Sequence, residues 1–302
     1  MLDFSELKKQ FNCCGAEFSE NELLYRYSTF KIGGPAKLIV SPNNTDQFID
    51  VLNIIRKSDQ RYIVIGKGSN VLFDDKGYDG VIVSTHNMRS ISVNGNILEA
   101  DCGASFTKMA SEAADNGLSG LEFAYGIPGS CGGAVFMNAG AYGSETSCVI
   151  LQATCFDMNS GNILRLELNE MDMSYRHSLF MHRPELVILS ASFGLMQGDK
   201  KCIKDAMDYN MAQRRQKQPL EYPNAGSTFK RHEGYFIGKI IEDCGLKGYC
   251  IGGAQVSEKH AGFIVNRGGA TSADVLELIS YIKKIILENY GFELKCEIRY
   301  IQ

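Results

Sequence analysis

Residues 118–143 read LSGLEFAYGIPGSCGGAVFMNAGAYG, with seven glycines, four alanines and a single charged residue, Glu122. Few backbone arrangements suit such a segment. Each glycine gives up a side chain and loses more conformational freedom on ordering than any other residue. Leu, Ile, Val, Phe, Met and Tyr threaded through the run set it apart from the polar composition of a flexible linker. No ordinary helix or strand is written this way. The segment therefore reads as a buried loop whose backbone lies close against something flat or anionic.

The rest of the chain bounds what that something is. At 302 residues the chain is too long for one comfortable core, so two or three domains are expected. A formal net charge of −4 argues against a general nucleic-acid binder, which needs a basic face. No apolar run is long enough to span a bilayer, and the opening MLDFSELKKQFNCC does not read as a signal peptide. The ten cysteines are scattered, with no CxxC and no metal-site spacing, which points to reduced, mostly buried thiols in a cytoplasmic protein without a metal.

Periodicity divides the chain into three stretches. The first predicts a short amphipathic helix over 2–14, a strand at Lys37–Val40, a helix from a Thr45 cap to about Arg56, and strands at Tyr62–Ile65 and Gly80–Ser84. The second predicts short strands at Ile91–Val93 and Ile97–Ala100 and a helix over 105–116 stopped by Gly117. It continues with a hairpin of Val149–Met158 and Asn162–Leu168 and a strand at Glu185–Phe193. The third predicts a polar helix from about Lys200, broken by Pro219 and Pro223, and a helix at Tyr235–Cys244. A Ser272-capped helix follows, with Val275, Leu276, Ile279, Ile282 and Ile286 on one face and Gly291 at its end, and Glu293–Ile301 reads as a final strand.

A second glycine turn, Gly66-Lys67-Gly68-Ser69-Asn70, follows a predicted strand directly. It is neither a dinucleotide fingerprint nor a P-loop. It lacks a third Gly and a GK[ST], and Val71–Gly77 does not read as the helix that a Rossmann loop feeds. Such a turn offers consecutive backbone N–H groups as an anion-binding nest. Paired with the long glycine stretch it can clamp one extended ligand, with phosphate in the turn and a flat ring against Ile127, Pro128, Ala139 and Ala141.

Taken in order, Gly66–Asn70, the 118–143 block, YRHSLF at 175–180, GSTFK at 226–230 and Gly252–Asn266 resemble the UDP-N-acetylenolpyruvoylglucosamine reductase family from about Tyr27 to Ile301. The resemblance implies an α+β chain. Its FAD-binding domain would be of the p-cresol methylhydroxylase/vanillyl-alcohol oxidase type, in two parts (1–85 and 86–199), followed by an α+β substrate-binding domain (200–302). It implies non-covalent FAD, since neither glycine loop contains a histidine. NADPH would be the hydride donor and the UDP-GlcNAc enolpyruvyl ether the substrate, reduced to UDP-N-acetylmuramate in peptidoglycan precursor synthesis. A cytoplasmic monomer is expected.

Carried over residue by residue, the family's catalytic groups become Arg176 as carboxylate clamp, Ser227 as proton donor and Glu297 near the C-terminus. The cofactor set is Gly66, Lys67, Gly68, Ser69, Asn70, Gly126, Ile127, Pro128, Gly129, Gly132, Gly133, Asn138, Ala139, Gly140 and Ala141. Tyr175, Lys230 and Arg231 are substrate-contact candidates, and His260 reads as a packed histidine. Cys131 stands where the family has a small β-branched or apolar residue, and so raises the question of a reactive thiol. Cys296 replaces a proline and Arg231-His232-Glu233 a Pro-containing turn, while the short 177–200 segment fits the subtype without a tyrosine-bearing insertion.

Overall fold

The computed structural model describes residues 3–58 and 60–302. They form two compact units that do not follow three consecutive stretches of chain. The first comprises residues up to Glu20, Leu38–Lys67 and Gly80–Ala212, and the second Asn21–Lys37, Gly68–Asp79 and Gln213–Gln302. The expected boundary at 85 thus falls inside the first unit. Two excursions from the N-terminal region belong instead with the C-terminal unit, because their apolar residues Phe30, Ile32 and Leu72 are buried in its core.

The first unit holds most of a four-stranded sheet ordered Glu17–Leu23, Pro35–Ser41, Tyr78–Ser84, Tyr62–Ile65, whose last pair is parallel. It also holds a five-stranded antiparallel sheet ordered Ile163–Glu167, Ile150–Asp157, Leu186–Gly194, Ile97–Asp101, Ile91–Asn94. The helix Thr45–Ile55 buries Phe48, Val51, Leu52, Ile54 and Ile55, against a core that includes Leu38, Val40, Val81 and Val83. Each such side chain contributes roughly 1.5–3 kcal/mol of burial. Its cap is Asn44, whose Oδ1 accepts from the Gln47 N–H at 2.9 Å, and Thr45 is the first helical residue. The N-terminal helix spans Phe4–Cys13; Leu2, placed in it by periodicity, lies outside the described residues.

The glycine-rich stretch is not all loop. Cys131–Met137 is a short helix, capped by Ser130 and ended by Asn138 in the left-handed region at φ 40°. Tertiary packing overrides the poor helix propensity of its glycines. A Cβ on Gly132 would lie 2.9 Å from Cys102 Cβ, so the glycine lets the helix lie close against the chain leaving Ile97–Asp101.

The second unit pairs an antiparallel sheet, ordered Asn224–Ser227, Phe263–Asn266, Ala254–Val256, Cys250–Ile251, with the helices Ile237–Asp243 and Ser272–Tyr290. The long helix is capped by Thr271, in a capping box with Asp274, not by Ser272. Its inward face is Val275, Leu278, Ile279, Ile282 and Ile286; Leu276 is only partly buried. The Ser272 hydroxyl and N–H donate to Asp75 at 2.8 and 2.9 Å, which fastens the 68–79 excursion to the helix start. The terminal strand is confined to Arg299–Ile301, parallel to Val71–Phe73; the preceding residues pair with the 227–230 loop instead.

Candidate active site

The turn after Tyr62–Ile65 is shaped by close approach on both sides. A Cβ on Gly66 would fall 2.0 Å from Ser130 Oγ. Gly68 takes φ +59°, and a Cβ there would fall 1.9 Å from the Tyr27 carbonyl oxygen. Among the described residues nothing accepts from the N–H groups of Gly66, Lys67, Gly68 and Ser69. Four consecutive donors without acceptors are the donor set of an anion nest and fit the diphosphate of a dinucleotide. Lys67 adds an ammonium, held by Ser105 Oγ at 2.7 Å, and burial followed by the charge of Arg89 pushes its pKa down. Asn70 ties into the C-terminal tail: its carbonyl accepts from the Arg299 N–H at 3.0 Å, and its side-chain amide donates to the Glu297 carbonyl at 3.2 Å.

The long glycine stretch offers less backbone than expected. The N–H groups of Ile127, Gly129, Cys131, Gly132, Gly133, Ala134, Asn138 and Ala139 all donate within the protein. The N–H groups of Gly126, at φ +87°, and Ser130 meet no acceptor among the described residues. Pro128 and Gly133 are exposed, and Ile127, Gly129, Gly132, Ala139, Gly140 and Ala141 half-buried. At Gly140 the glycine is needed by its own hairpin, since a Cβ would lie 2.6 Å from Glu145 Cβ.

Asn138, placed in the cofactor set, has its side chain engaged within the protein. It is fully buried, its Nδ2 donates to Glu145 Oε1 and the Ser174 carbonyl, both at 2.9 Å, and its Oδ1 accepts from the Ser147 N–H at 2.9 Å. It is a structural latch. Cys131 is likewise not a reactive thiol: it is 0% exposed, and burial pushes its pKa well above the ordinary range. A buried neutral thiol is a poor nucleophile.

Arg176 sits at the tip of the tight turn closed by the reciprocal backbone bonds of Ser174 and His177. Its φ of 51° is a conformation normally left to Gly or Asn. The guanidinium donates to two carbonyls, Asn138 at 3.4 Å and Gly140 at 3.1 Å, and lies 5.1 Å from the ring centroid of the exposed Tyr175. The rest of the motif anchors the turn. Ser178 is buried and donates to the Phe136 carbonyl at 2.6 Å, and Phe180 is in the core.

In the second unit, Ser227 is exposed at the end of its strand, after Gly226 at φ +79°. The next residues run antiparallel to the tail: the Glu297 N–H donates to the Thr228 carbonyl at 2.9 Å, and the Lys230 N–H to the Lys295 carbonyl at 2.8 Å. Ser227 and half-buried Glu297 are therefore carried on adjacent backbone segments, with Lys230 half-buried and Arg231 exposed beyond them. Sequence reasoning missed Thr228, whose buried Oγ1 accepts from the Ile264 N–H at 3.1 Å and fixes this loop. His260 is packed as expected, its Nδ1 accepting from the Gly262 N–H at 3.1 Å. No group of three or more His, Cys, Asp or Glu suited to a metal occurs among the described residues, and no described helix is long and apolar enough to cross a membrane.

Comparison with known proteins first defines the class. Residues 36–167 match the FAD binding domain family. Over 66% of this chain the fold is similar to the H104A variant of berberine bridge enzyme, at TM-score 0.50 and 13% identity with 44% of that chain covered, a likeness of fold alone. The chain is an FAD-domain oxidoreductase with a separate C-terminal domain.

The particular family follows from the whole length. Residues 218–301 match the UDP-N-acetylenolpyruvoylglucosamine reductase C-terminal domain. The reductase of that name from Clostridium novyi (strain NT) is 47% identical over 285 residues, covering 94% of this chain and 92% of the relative. The one from Lactobacillus acidophilus is 45% identical with 99% of both chains covered. The crystal structure of UDP-N-acetylenolpyruvylglucosamine reductase from Thermus caldophilus matches at TM-score 0.81 and 30% identity, covering 95% of this chain and 99% of that one. The chain belongs to the UDP-N-acetylenolpyruvoylglucosamine reductase family.

Proposed function

We propose that this chain reduces the enolpyruvyl ether of UDP-GlcNAc to UDP-N-acetylmuramate with NADPH as hydride source, in the cytoplasm, as a step of peptidoglycan precursor synthesis. FAD, held without a covalent bond by the Gly66–Ser69 nest, would supply the hydride relay when bound. The chain's own residues do the rest. Adding hydride to the terminal alkene carbon leaves negative charge on the neighbouring carbon and its carboxylate. That charge must be stabilised and one proton delivered.

Arg176 suits the first task, because its fork is planar and permanently charged and is held on the Asn138 and Gly140 carbonyls at a tight turn. Ser227 suits the second: it is exposed on a strand that Thr228 and the Gly262 carbonyl hold in place. Glu297, on the segment paired with it, would orient or recharge the hydroxyl. Lys230 and Arg231 follow on the same loop and suit the diphosphate of the sugar nucleotide, and Tyr175 its neutral parts. The observation that carries the reading is the pairing of the Ser227 and Glu297 segments through the Thr228 carbonyl, which puts the two residues on neighbouring stretches of backbone.

The test is a spectroscopic cycle on purified protein. A yellow protein should bleach anaerobically with NADPH and regain its colour on addition of the UDP-GlcNAc enolpyruvyl ether. Persistent bleaching after that addition would sink the proposal.

A further inference from the structure

Backbone strain gathers around Arg176. Of the described residues, six that are not glycine take positive φ, and four of the six belong to one connected stretch of structure. Asn138, at φ 40°, donates to the Ser174 carbonyl, and Arg176, at φ 51°, donates to the Asn138 and Gly140 carbonyls. Tyr142, at φ 53°, stands at the tip of the hairpin formed by Gly140–Ala141 and Ser144–Glu145. The fourth is Asp172, at φ 44°, on the chain entering the Arg176 turn. Strained residues persist where several contacts hold them, and they collect at sites whose geometry matters.

Most of the Arg176 turn is well fastened. Met171 is fully buried and its carbonyl accepts from the Leu179 N–H at 2.7 Å. Ser178 is held on the Phe136 carbonyl, and Ser174 and His177 exchange backbone bonds. The stretch 172–173 is not fastened in this way. Among the described residues the N–H groups of Asp172 and Met173 make no hydrogen bond. One side-chain bond spans the gap, with His177 Nε2 at 3.1 Å from Asp172 Oδ2. It is the one hydrogen bond of Asp172 among the described residues. It ties the strained entry of the turn to the residue directly after Arg176.

The His177 ring is steadied from a second direction. Its centroid lies 5.1 Å from that of His182, which ends the following helical turn Leu179–Met181. The His177 side chain is 26% exposed, but that of Asp172 is 75% exposed, and an ion pair with so exposed a partner adds little to global stability. An Nε2–H donates to a carboxylate in the neutral Nε2–H tautomer and in the cation alike, so the contact does not require a charged imidazole. The pair is therefore a weak brace for the whole fold and a well-placed brace for one turn.

We propose that Asp172 and His177 are positioning residues for Arg176. Their bond closes the unfastened entry of the turn and so fixes the direction in which the guanidinium fork is presented. The proposal rests on the reading of Arg176 as clamp for the substrate carboxylate. Both residues act through the backbone of 172–177.

Full-length, FAD-loaded protein can be compared as wild type, His177→Ala, His177→Gln, Asp172→Gly, Asp172→Asn and the double variant His177→Ala/Asp172→Gly. Glycine is chosen at 172 because alanine is strained at positive φ. Three measurements are made: amide hydrogen exchange of peptides covering 172–179, Tm, and the two half-reactions by stopped flow. His177→Ala and Asp172→Gly should each exchange faster in this segment and keep Tm near wild type. Each should slow flavin reoxidation by the enolpyruvyl ether about threefold to tenfold, the net worth of one hydrogen bond, and leave reduction by NADPH unchanged. His177→Gln and Asp172→Asn keep a donor and an acceptor and should recover most of the rate. The double variant should be no slower than the slower single one. Wild-type exchange and rate in the two single deletions, or additive losses in the double variant, overturn the pair. Equal losses in both half-reactions with a lowered Tm make it merely structural and overturn the positioning role. Arg176→Lys reacting at the wild-type rate overturns the clamp reading instead, and the exchange result still decides whether the pair holds the turn.

Discussion

Arg176 pays a conformational cost to stand where it does. A non-glycine residue at φ 51° costs about 1–3 kcal/mol, and such strain persists where the surroundings hold it. The anchors are Ser178 on the Phe136 carbonyl and the buried Phe180. Arg176→Lys keeps a charge but loses the fork. It is expected to slow the reaction with the enolpyruvyl ether by about a hundredfold or more while NADPH oxidation by the flavoprotein stays near normal. Stopped-flow measurement of the two half-reactions checks this, and an unchanged second half removes Arg176 from the mechanism. Ser227→Ala should show the same split, with about a hundredfold to ten-thousandfold loss confined to the second half; equal losses in both halves would point to a different acid. Among the thiols, Cys131, Cys102 and Cys155 are buried, the last two with pKa pushed up to about 12, so they should not react with a disulfide reagent in native protein. Rapid modification should be limited to exposed Cys13, Cys148, Cys202 and Cys250, read by mass spectrometry of labelled peptides.

At the scale of elements, the short helix Cys131–Met137 matters through its end. Asn138 terminates it at φ 40° and joins it to the Glu145 side chain, the Ser147 N–H and the Ser174 carbonyl, while its own carbonyl accepts from Arg176. Asn138→Ala leaves buried donors and acceptors unmatched and puts alanine in a left-handed conformation. A loss of about 2–4 kcal/mol is expected in urea unfolding, with the turn carrying Arg176 loosened as well. Wild-type stability in that variant would show that the latch is dispensable. Periodicity found most helices and the 149–168 hairpin, because their apolar residues recur at regular spacing. It missed this helix, since glycine masks helical patterning and the stabilisation comes from contact with Cys102. Caps were misplaced by one residue at Asn44 and Thr271, where two neighbouring residues of each pair can cap and only the hydrogen bond chooses.

At the scale of the whole molecule, two histidines tie stability to pH. Burial pushes the pKa of His260 below the ordinary value, and burial together with Arg89 does so for His86. The unfolded chain, with histidine near 6.5, then binds the proton more readily than the fold. Their contribution to stability is complete above about pH 6.5 and is lost as pH falls through the lower folded values. Melting temperature should decline from pH 7 to 5, and His260→Asn, which keeps an acceptor for the Gly262 N–H, should flatten that decline. An identical profile in the variant would exclude His260 as a source.

The motifs were legible in the sequence because they are local: glycines at turns, a serine after glycine, an arginine inside YRHSLF. Sequence alone therefore determined the family, the elements with regular apolar spacing and the candidate residues Arg176, Ser227 and Glu297. What tertiary structure decided is which neighbours each residue meets. It moved 21–37 and 68–79 into the C-terminal unit by burying Phe30, Ile32 and Leu72 there. It engaged Asn138 within the protein and closed Cys131 off from solvent. It also set Lys67 on the start of a helix that follows it by 39 residues. Such contacts join residues far apart in the chain, and burial and hydrogen-bond partners are properties of the folded neighbourhood rather than of any residue type.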